Sequence, residues 1–258
     1  MGFLKNWRRK RISREAFPLK WLSIVVNNIP YYRGLSPVDQ KELQRHILIF
    51  LSEKRFEGCG GLQISDEIKV TIAAWACVLL LHRRTDYYPG LTEILVYPNA
   101  YVVPRQEYLG GGAIVESEEV LAGQSQKRGP VVLSWEDVKR SSSQSHYGHN
   151  VVLHEFAHQI DQLFGEGDSS AVLQSSDKFM EWAKILERDF RKLQEKAIEG
   201  RQTLLDSYGA TNEAEFFAVA TEFFFERPVE FRKNYPDLYE QLKNFYHQNP
   251  AGQADGNN

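Results

Sequence analysis

The feature that most constrains this chain is a pair of histidines four residues apart inside an apolar segment. In Val151–Asp161 (VVLHEFAHQID) the only charged side chain before Asp161 is Glu155. Four residues advance an α-helix by about 6 Å and turn it by about 40°, so His154 and His158 project from one face. Burying two imidazoles and a carboxylate in such a helix is costly without partners. The segment therefore predicts a buried helix whose polar groups bind a shared ligand, and a metal ion fits that role.

The H-E-x-x-H spacing favours a catalytic zinc site. Two neutral imidazoles at this separation can each reach one zinc ion at about 2.0–2.1 Å. Glu155 follows the first histidine, so it can hydrogen-bond a zinc-bound water, take its proton and deliver it to a leaving amine. The alternative is a core helix with incidentally placed polar groups. A structural zinc site is disfavoured, because it needs four protein ligands, usually with cysteine, and the two cysteines, Cys59 and Cys77, lie far upstream.

The third protein ligand must come from outside this segment. Glu215 is the leading candidate, in a helix that we predict over Asn212–Glu226. Glu215, Ala218 and Glu222 share one face of that helix, and the remaining faces are largely aromatic. The alternative is that Glu215 closes a capping box with Asn212 as the N-cap. Glu222 suits a buried ion pair, or a hydrogen bond to a liganding imidazole, better than a ligand position.

Four further polar residues near these helices have open roles. Asp161 follows His158 by one turn, and its short side chain suits a hydrogen bond to a liganding imidazole better than a bond to the metal. His146 and His149 precede the motif; His149 lies about 140° round the helix from the first motif histidine, so we interpret both as surface residues. Tyr208 precedes the downstream helix and can donate a hydrogen bond to the oxyanion of a tetrahedral intermediate, with simple packing as the alternative.

The hydrophobic pattern predicts a mostly helical α+β chain with a small β-sheet before the H-E-x-x-H helix. Ser36 and Ser65 are N-caps of two early helices, the first ending at the glycines of Gly58–Gly61 and the second reaching Arg84. The strands that we predict from β-branched or aromatic runs are Thr92–Tyr97, Glu118–Ala122 and Pro130–Trp135. The later helices are expected at Tyr147–Phe164, Asp177–Glu199, Asn212–Glu226 and Asp237–Gln248, and the loops at Gly110–Gly112 and Ser141–Ser145.

We predict a single domain over residues 1–258, with an N-terminal helical part at 15–85 and a catalytic part at 90–248. Residues 1–14 carry a basic run and are expected to form a flexible, solvated arm, with weak attraction to anionic lipid or an acidic partner as the alternative. Residues 250–258 are rich in Gly and Asn and are also expected to be flexible.

Composition excludes several classes of function. The formal net charge of −3 does not favour a nucleic-acid partner, which usually needs a basic surface. The longest apolar run, within Ile68–Leu81, is too short to span a bilayer, and no signal-peptide pattern is present at the N-terminus. Two isolated cysteines fit a reducing compartment, so we expect a cytoplasmic protein without a membrane span.

Four segments carry a resemblance to a known family: ILVYPNAYVV (Ile94–Val103), GPVVLSW (Gly129–Trp135), VVLHEFAHQID (Val151–Asp161) and DSYGATNEAEFFAVATEFFF (Asp206–Phe225). They resemble the Mlc titration factor A family of zinc metallopeptidases. That family is similar to gluzincins and related in its core to the protease domain of anthrax lethal factor, which implies a zincin-like catalytic core. The resemblance implies one zinc ion bound by His154, His158 and Glu215, with Glu155 as the base and Tyr208 assisting.

The same resemblance implies an aminopeptidase-type activity on small peptides, and we expect Pro130–Trp135 to be an edge strand that pairs with an extended peptide. Family members of enteric bacteria also bind and sequester a glucose-responsive repressor. A second hypothesis is therefore a regulatory protein that binds a transcriptional regulator, with peptidase activity secondary.

Overall fold

A computed structural model of the chain describes residues 2–109, 113–121, 123–125, 129–143, 148–165 and 176–255. Within these ranges the helices are α1 Gly2–Ile12, α2 Leu19–Asn28, α3 Pro30–Gly34, α4 Pro37–Glu53, α5 Asp66–Val78, α6 Trp135–Ser143, α7 Val151–Gly165, α8 Ser176–Ile198, α9 Glu213–Glu226, α10 Pro228–Asn234, α11 Pro236–Tyr246 and α12 Pro250–Asp255. The strands are β1 Arg55–Gly58, β2 Glu93–Tyr97, β3 Tyr101–Leu109, β4 Ala113–Leu121, β5 Gly123–Ser125 and β6 Val131–Ser134. The loop expected at Gly110–Gly112 lies outside the described residues.

The strands form a small sheet and a separate hairpin. In the sheet the order is β1-β2-β6-β5, with β1, β2 and β6 parallel and β5 antiparallel to β6, while β3 and β4 pair as an antiparallel hairpin. At the centre of the sheet, Ile94 of β2 pairs with Phe56 of β1 and with Val131 of β6. This arrangement confirms the mostly helical α+β fold with a small sheet, and the three strands that the sequence predicted are present.

The expected edge position of Pro130–Trp135 is wrong in this structure. β6 is an inner strand, because Gly123, Gln124 and Ser125 of β5 pair along it opposite β2. The sequence of β5 has no β-branched or aromatic residue, so it gave no strand signal. Any peptide that pairs with β6 must therefore compete with this short segment of the chain's own backbone.

Helix starts follow the capping residues. The Oγ of Ser36 accepts a hydrogen bond from the N–H of Asp39 at 3.2 Å, and the Oγ of Ser65 accepts one from Ile68 at 3.2 Å, as predicted. α4 ends at Glu53 rather than at the later glycines, because the chain turns into β1, a strand that we did not predict. Likewise the expected loop at Ser141–Ser145 is helical through Ser143, the end of α6.

The N-terminal segment is a docked helix, so the flexible arm expected at residues 1–14 is wrong for residues 2–12. The Arg9 guanidinium contacts Glu53 at 2.7 Å and Asp86 at 2.6 Å, and it lies 4.6 Å from the centre of the Tyr87 ring. Its side chain is only 11% exposed. These acceptors come from α4 and from the loop after α5, so their contacts with Arg9 form only in the tertiary structure.

The C-terminal segment is also ordered further than expected. Residues 250–255 form α12, in which Ala251 is buried and donates its N–H to the Tyr239 hydroxyl at 2.9 Å. The prediction of a flexible tail is therefore wrong up to residue 255, and residues 256–258 lie outside the described part. Among the described helices, none has the length and apolar character needed to cross a membrane.

α7 occupies the centre of the fold, where it packs against α9, α5 and the sheet. Its buried face carries Phe156, whose ring centre lies 5.8 Å from that of Phe50 on α4 and 4.8 Å from that of Tyr88. The pair with Tyr88 is edge-to-face, an arrangement that contributes about 0.5–1.5 kcal/mol beyond the area it buries. This packing fixes the rotation of α7 and so directs its histidine face towards α9.

Candidate metal centre

The two motif histidines and Glu215 converge on one point between α7 and α9. The Nε2 atoms of His154 and His158 are 3.1 Å apart. The Oε2 of Glu215 lies 3.0 Å from the Nε2 of His154 and 3.3 Å from the Nε2 of His158. Four donors around zinc at about 2.0–2.1 Å would be separated by about 3.3 Å, close to these distances. The structure thus brings together the three side chains that the resemblance implies as ligands.

The chemistry of this donor set fits a cation. Glu222 accepts a hydrogen bond from the Nδ1 of His154 at 2.7 Å, and the carboxylate of Glu215 lies within hydrogen-bond distance, 3.0 Å, of the Nε2 of the same ring. Burial lowers the pKa of His154, but the charges and hydrogen bonds of Glu222 and Glu215 outweigh burial and hold that pKa well above its ordinary value. A bound proton or a metal ion satisfies this cluster, and metal binding displaces the proton.

The start of α9 places Glu215. The Oδ1 of Asn212 accepts a hydrogen bond from the N–H of Glu215 at 3.0 Å, so Asn212 is the N-cap that the sequence indicated. The Glu215 carboxylate faces the two imidazoles, which is not the reach back to Asn212 that a capping box requires. Burial raises the pKa of Glu215, but the hydrogen bonds to His154 and His158 lower it more, to about 2.

A buried network behind the centre holds His154 in place. The second oxygen of Glu222, Oε2, accepts the backbone N–H of Asn150 at 2.5 Å. The side-chain amide of Asn150 donates to Glu226 at 2.9 Å, and its Oδ1 accepts the N–H of Leu153 at 3.1 Å. Asn150 is therefore the N-cap of α7, which begins at Val151 rather than at Tyr147 as expected. Carboxylates that bind the far nitrogen of a liganding histidine fix its tautomer and orientation.

The sequence reasoning missed Asn150 and Glu226. Asn150 directly precedes an apolar helix, so N-cap preference was a signal that could have found it. Glu226 gave no such signal, because a carboxylate at the end of a helix is usually solvated. Both residues are buried, and each contacts the other across the α7–α9 interface.

Glu155 is a buried carboxylate, and one of its oxygens has no partner among the residues that the structure describes. The residue is 4% exposed, and its Oε2 has no hydrogen-bond partner among the described residues. Burial raises the pKa of Glu155 to about 7, although His154 and His158 oppose that rise. A buried acceptor without a hydrogen-bond partner destabilises the fold unless a ligand or a water molecule donates a hydrogen bond to it. Its position on the motif helix fits a carboxylate that accepts a proton from a water molecule at the metal.

Tyr208 lies in a 3-10 helix, Ser207–Ala210, just before α9. The Oδ1 of Asp206 accepts the N–H of Tyr208 at 2.7 Å and starts this turn. The centre of the Tyr208 ring is 6.0 Å from that of His154, and the residue is 49% exposed. A half-exposed phenol beside the imidazole cluster can meet a bound substrate, which a packed tyrosine could not do.

The comparison with protein families decides the classification. The sequence model of the family described as glucose-regulated metallo-peptidase M90 matches residues 4–247. The chain belongs to this family. The match extends over the sheet, the H-E-x-x-H helix and α9, so it includes every element that builds the candidate centre.

Individual relatives of this metallo-peptidase family support the same assignment. An uncharacterized protein of Synechocystis sp. is 37% identical over 243 residues, which cover 93% of this chain and 88% of the relative. Mlc titration factor A of Klebsiella pneumoniae strain 342 is 32% identical over 224 residues, covering 86% and 84% of the two chains. Mlc titration factor A of Cronobacter sakazakii is 31% identical over 246 residues, covering 95% and 91%.

Two of the remaining polar candidates have described surroundings. Asp161 lines a cavity between α7, α8 and α9, among side chains that include Phe216 and Trp182. His149 is exposed and faces Asp206 at 3.4 Å, as expected for a surface residue. His146 lies outside the described residues. A metallo-peptidase family implies a metal, and the group of His154, His158 and Glu215 offers its ligands.

Proposed function

We propose that this chain is a zinc-dependent peptidase of aminopeptidase type that acts in the cytoplasm. The single observation that carries the proposal is the convergence of His154, His158 and Glu215 on one point. The helix of the two histidines also carries the buried Glu155, whose Oε2 has no hydrogen-bond partner among the described residues. Membership of a metallo-peptidase family gives the reaction class. The free cysteines, Cys59 and Cys77, support a reducing compartment.

In this proposal the three converging side chains hold one zinc ion per chain. Zinc, when bound by two histidines and one carboxylate, supplies a Lewis acid that lowers the pKa of a coordinated water towards neutrality. Glu155 then accepts a proton, which its buried position and raised pKa suit, and passes it to the leaving amine. Glu222 keeps the Nδ1 of His154 protonated, so that the Nε2 lone pair stays available to the metal.

Tyr208 has the second chemical role. In this proposal the phenol of this half-exposed residue donates a hydrogen bond to the negative oxygen that develops when the peptide carbonyl is attacked. The rest of the ring borders His154, so a substrate held at the metal would also contact this face of the tyrosine.

The experiment for catalysis compares Glu155→Gln with Glu213→Gln, which changes an exposed carboxylate two residues before Glu215. We expect Glu155→Gln to keep one zinc ion per chain and to lose about 10²–10⁴-fold in peptide hydrolysis, the usual range for general acid–base catalysis. Glu213→Gln should behave like the unmodified chain. Unchanged turnover in Glu155→Gln would reject the mechanism.

The aminopeptidase type is the finer part of the proposal and has its own test. Peptides with a free N-terminus and the same peptides with an acetylated N-terminus are compared as substrates. An aminopeptidase cleaves only the former, whereas an endopeptidase cleaves both. Equal cleavage of the two sets would contradict the aminopeptidase assignment but would agree with the peptidase assignment.

A second candidate function is binding of a transcriptional regulator. The observation that favours it is the name Mlc titration factor A, carried by relatives 32% and 31% identical to this chain. Binding of an Mlc-type repressor to the immobilised chain is measured for the unmodified protein and for Glu155→Gln. If both proteins retain the repressor, the result supports a regulatory role that does not need catalysis. If neither protein retains it, the result contradicts a regulatory role.

A further inference from the structure

The helix α1 has an inner face that the fold uses completely. Ile12 is buried, and the Arg9 guanidinium contacts Glu53 and Asp86. Lys5, one turn before Arg9, also contacts Asp86, at 2.8 Å. These contacts fix the rotation of α1 about its own axis. Residues two positions from Arg9 therefore project about 160° away from it, on the outer side of the helix.

The outer face of α1 exposes two large apolar side chains. Trp7, two positions before Arg9, is 60% exposed, and Leu4, one turn earlier on the same stripe, is 75% exposed. Trp7 is the most exposed of the five tryptophans of the chain. An indole at the surface leaves a large apolar area in water, and tryptophan is enriched where proteins meet the interface of a bilayer. This pair of side chains therefore favours contact with a partly apolar phase.

The same side of α1 carries cations that the fold does not neutralise. Arg11 lies on the outer stripe, Lys10 flanks it, and Arg14 follows in the next turn; all three are exposed. Among the described residues none of the three has an ion-pair partner, and the Arg11 guanidinium lies 5.9 Å from the centre of the Trp7 ring. Residues 1–14 hold six cationic side chains and no acidic one, although the formal net charge of the whole chain is −3. An anionic surface would attract this part of the chain and turn it towards itself.

A bilayer surface suits this face better than an acidic protein does. The helix has 11 residues and is about 16 Å long, so one stripe of it is far smaller than the roughly 800 Å² per partner of a stable protein interface. A bilayer requires no complementary shape, because basic side chains reach its anionic headgroups while tryptophan and leucine enter the headgroup region. Since α1 is already folded and docked, binding does not include the entropic cost of ordering it.

We propose that the outer face of α1, formed by Leu4, Trp7, Lys10, Arg11 and Arg14, binds the surface of an anionic phospholipid bilayer. The two apolar side chains lie among the headgroups, and the three cations lie at the level of the lipid phosphates. Such binding is peripheral and reversible, and salt weakens it because the charges on both sides are solvated. α1 contributes no side chain to the candidate metal centre, so this proposal does not depend on the proposed peptidase function.

The test measures partition of the full chain onto vesicles by sedimentation. Vesicles of phosphatidylcholine alone are compared with vesicles of phosphatidylcholine and phosphatidylglycerol in equal parts. We expect binding to the anionic vesicles alone, with a partition coefficient that falls as salt is added. Lys10→Gln/Arg11→Gln should lower this coefficient about 25-fold, because each cation near an anionic surface contributes about fivefold. Leu4→Gln/Trp7→Gln should lower it at least about 10-fold, because the apolar contact is lost.

Lys184→Gln/Lys196→Gln is the matched control, because it removes the same charge from two exposed lysines of α8. It should bind the anionic vesicles like the unmodified chain. All of these variants change exposed side chains, so their circular dichroism and melting temperatures should agree. The proposal is overturned by a control that loses as much binding as Lys10→Gln/Arg11→Gln. It is also overturned by an unmodified chain that does not bind anionic vesicles at low salt.

Fluorescence quenching separates contact with lipid from binding of an acidic protein. Phosphatidylcholine brominated close to its headgroup is included in the anionic vesicles, where it should quench the fluorescence of Trp7, and the quenching should disappear in Trp7→Phe. Polyglutamate serves as a soluble acidic probe. A chain that binds polyglutamate through α1 but stays off the vesicles, or that binds the vesicles without quenching, would contradict insertion of Trp7 and overturn the bilayer proposal.

Discussion

The Oε1 of Glu222 lies 2.7 Å from the Nδ1 of His154, while the Nε2 of the same ring faces Glu215 at 3.0 Å. The imidazole is thus held between a carboxylate that fixes its proton and one that shares its proposed metal. Both carboxylates come from α9, two turns apart, so a single helix presents one proposed ligand, Glu215, and the group that orients another, His154. The geometry of the centre depends on how closely α7 and α9 pack.

Glu222→Gln is expected to weaken zinc binding by about 10–100-fold. Glu222 accepts hydrogen bonds from two donors, the Nδ1 of His154 and the N–H of Asn150, and a glutamine has only one oxygen to offer them. The affinity is measured by competition with a chelator of known strength. Glu213→Gln, an exposed change on the same helix, is the control, and equal affinity in both variants would show that Glu222 does not orient the ligand.

Tyr208→Phe is expected to lower kcat by about 10²–10³-fold, the effect of removing one oxyanion donor. KM and zinc content should change little. In the proposed mechanism Tyr208 is not a metal ligand, and its phenol acts only on the oxyanion that forms during the reaction. Steady-state kinetics and elemental analysis on the same sample separate the two effects. A variant with normal kcat and a lowered melting temperature would assign Tyr208 to packing instead.

Gly148→Ala is expected to destabilise the fold and the metal centre together. Gly148 has a φ of 81°, and a Cβ there would lie 2.5–2.9 Å from three atoms of the Phe223 ring. The left-handed conformation costs about 1–2 kcal/mol for alanine, and overpacking adds about 1–3 kcal/mol. Gly148 lies two residues before Asn150. A displacement of Gly148 therefore also disturbs the hydrogen bonds of Asn150 with Glu222 and Glu226.

Gly200→Ala is the matched control for that prediction. Gly200 also has a positive φ, 63°, but no atom lies near the position of an added Cβ. It should therefore lose only the conformational part, about 1–2 kcal/mol. Urea unfolding of both variants measures the difference, and equal losses would contradict the steric clash with Phe223.

Lys54 gives a prediction for stability at alkaline pH. Its ammonium is buried and donates to the carbonyls of Tyr88 and Leu91 at 2.7 and 2.6 Å. Burial lowers its pKa to about 8, against 10.5 in the unfolded chain. Between these pH values the unfolded chain binds more protons than the folded chain, so the contribution of Lys54 to the free energy of unfolding rises with pH.

Urea unfolding of the unmodified chain and of Lys54→Met is compared at pH 7, about 8.5 and about 10. The difference in the free energy of unfolding should shift in favour of the unmodified chain by an amount on the order of 1–3 kcal/mol as pH rises through this window. At pH values well below the folded-state pKa of about 8 it should stay constant, because both states then hold the proton. Lys41→Met, at an exposed site on α4, should show no such rise.

The elements that could be predicted from the sequence depend on neighbouring residues. The N-caps Ser36, Ser65 and Asn212 act on N–H groups three residues away, so a local pattern suffices to find them. The spacing of His154 and His158 likewise sets the direction of both rings through helix geometry alone. These local features fixed the class of the fold and the first two candidate ligands.

Strand order could not be predicted in the same way. The sequence of Val131–Ser134 shows a buried strand, but it does not say which strands lie on either side. β5 pairs with it through backbone groups, which Gly123, Gln124 and Ser125 carry regardless of their side chains. β1 was missed for a related reason, because Arg55–Gly58 is short and alternates charged residues with Phe and Gly.

By itself the sequence determined the helix that carries two imidazoles on one face, because periodicity and capping act within a few residues. Tertiary structure decided the rest: that Glu215 meets those imidazoles, that Asn150 bridges Glu222 and Glu226, that Arg9 docks α1, and that His82 lies against α4. Each of these contacts joins residues at least 40 positions apart. Such contacts form only when packing of the core sets the distance between elements.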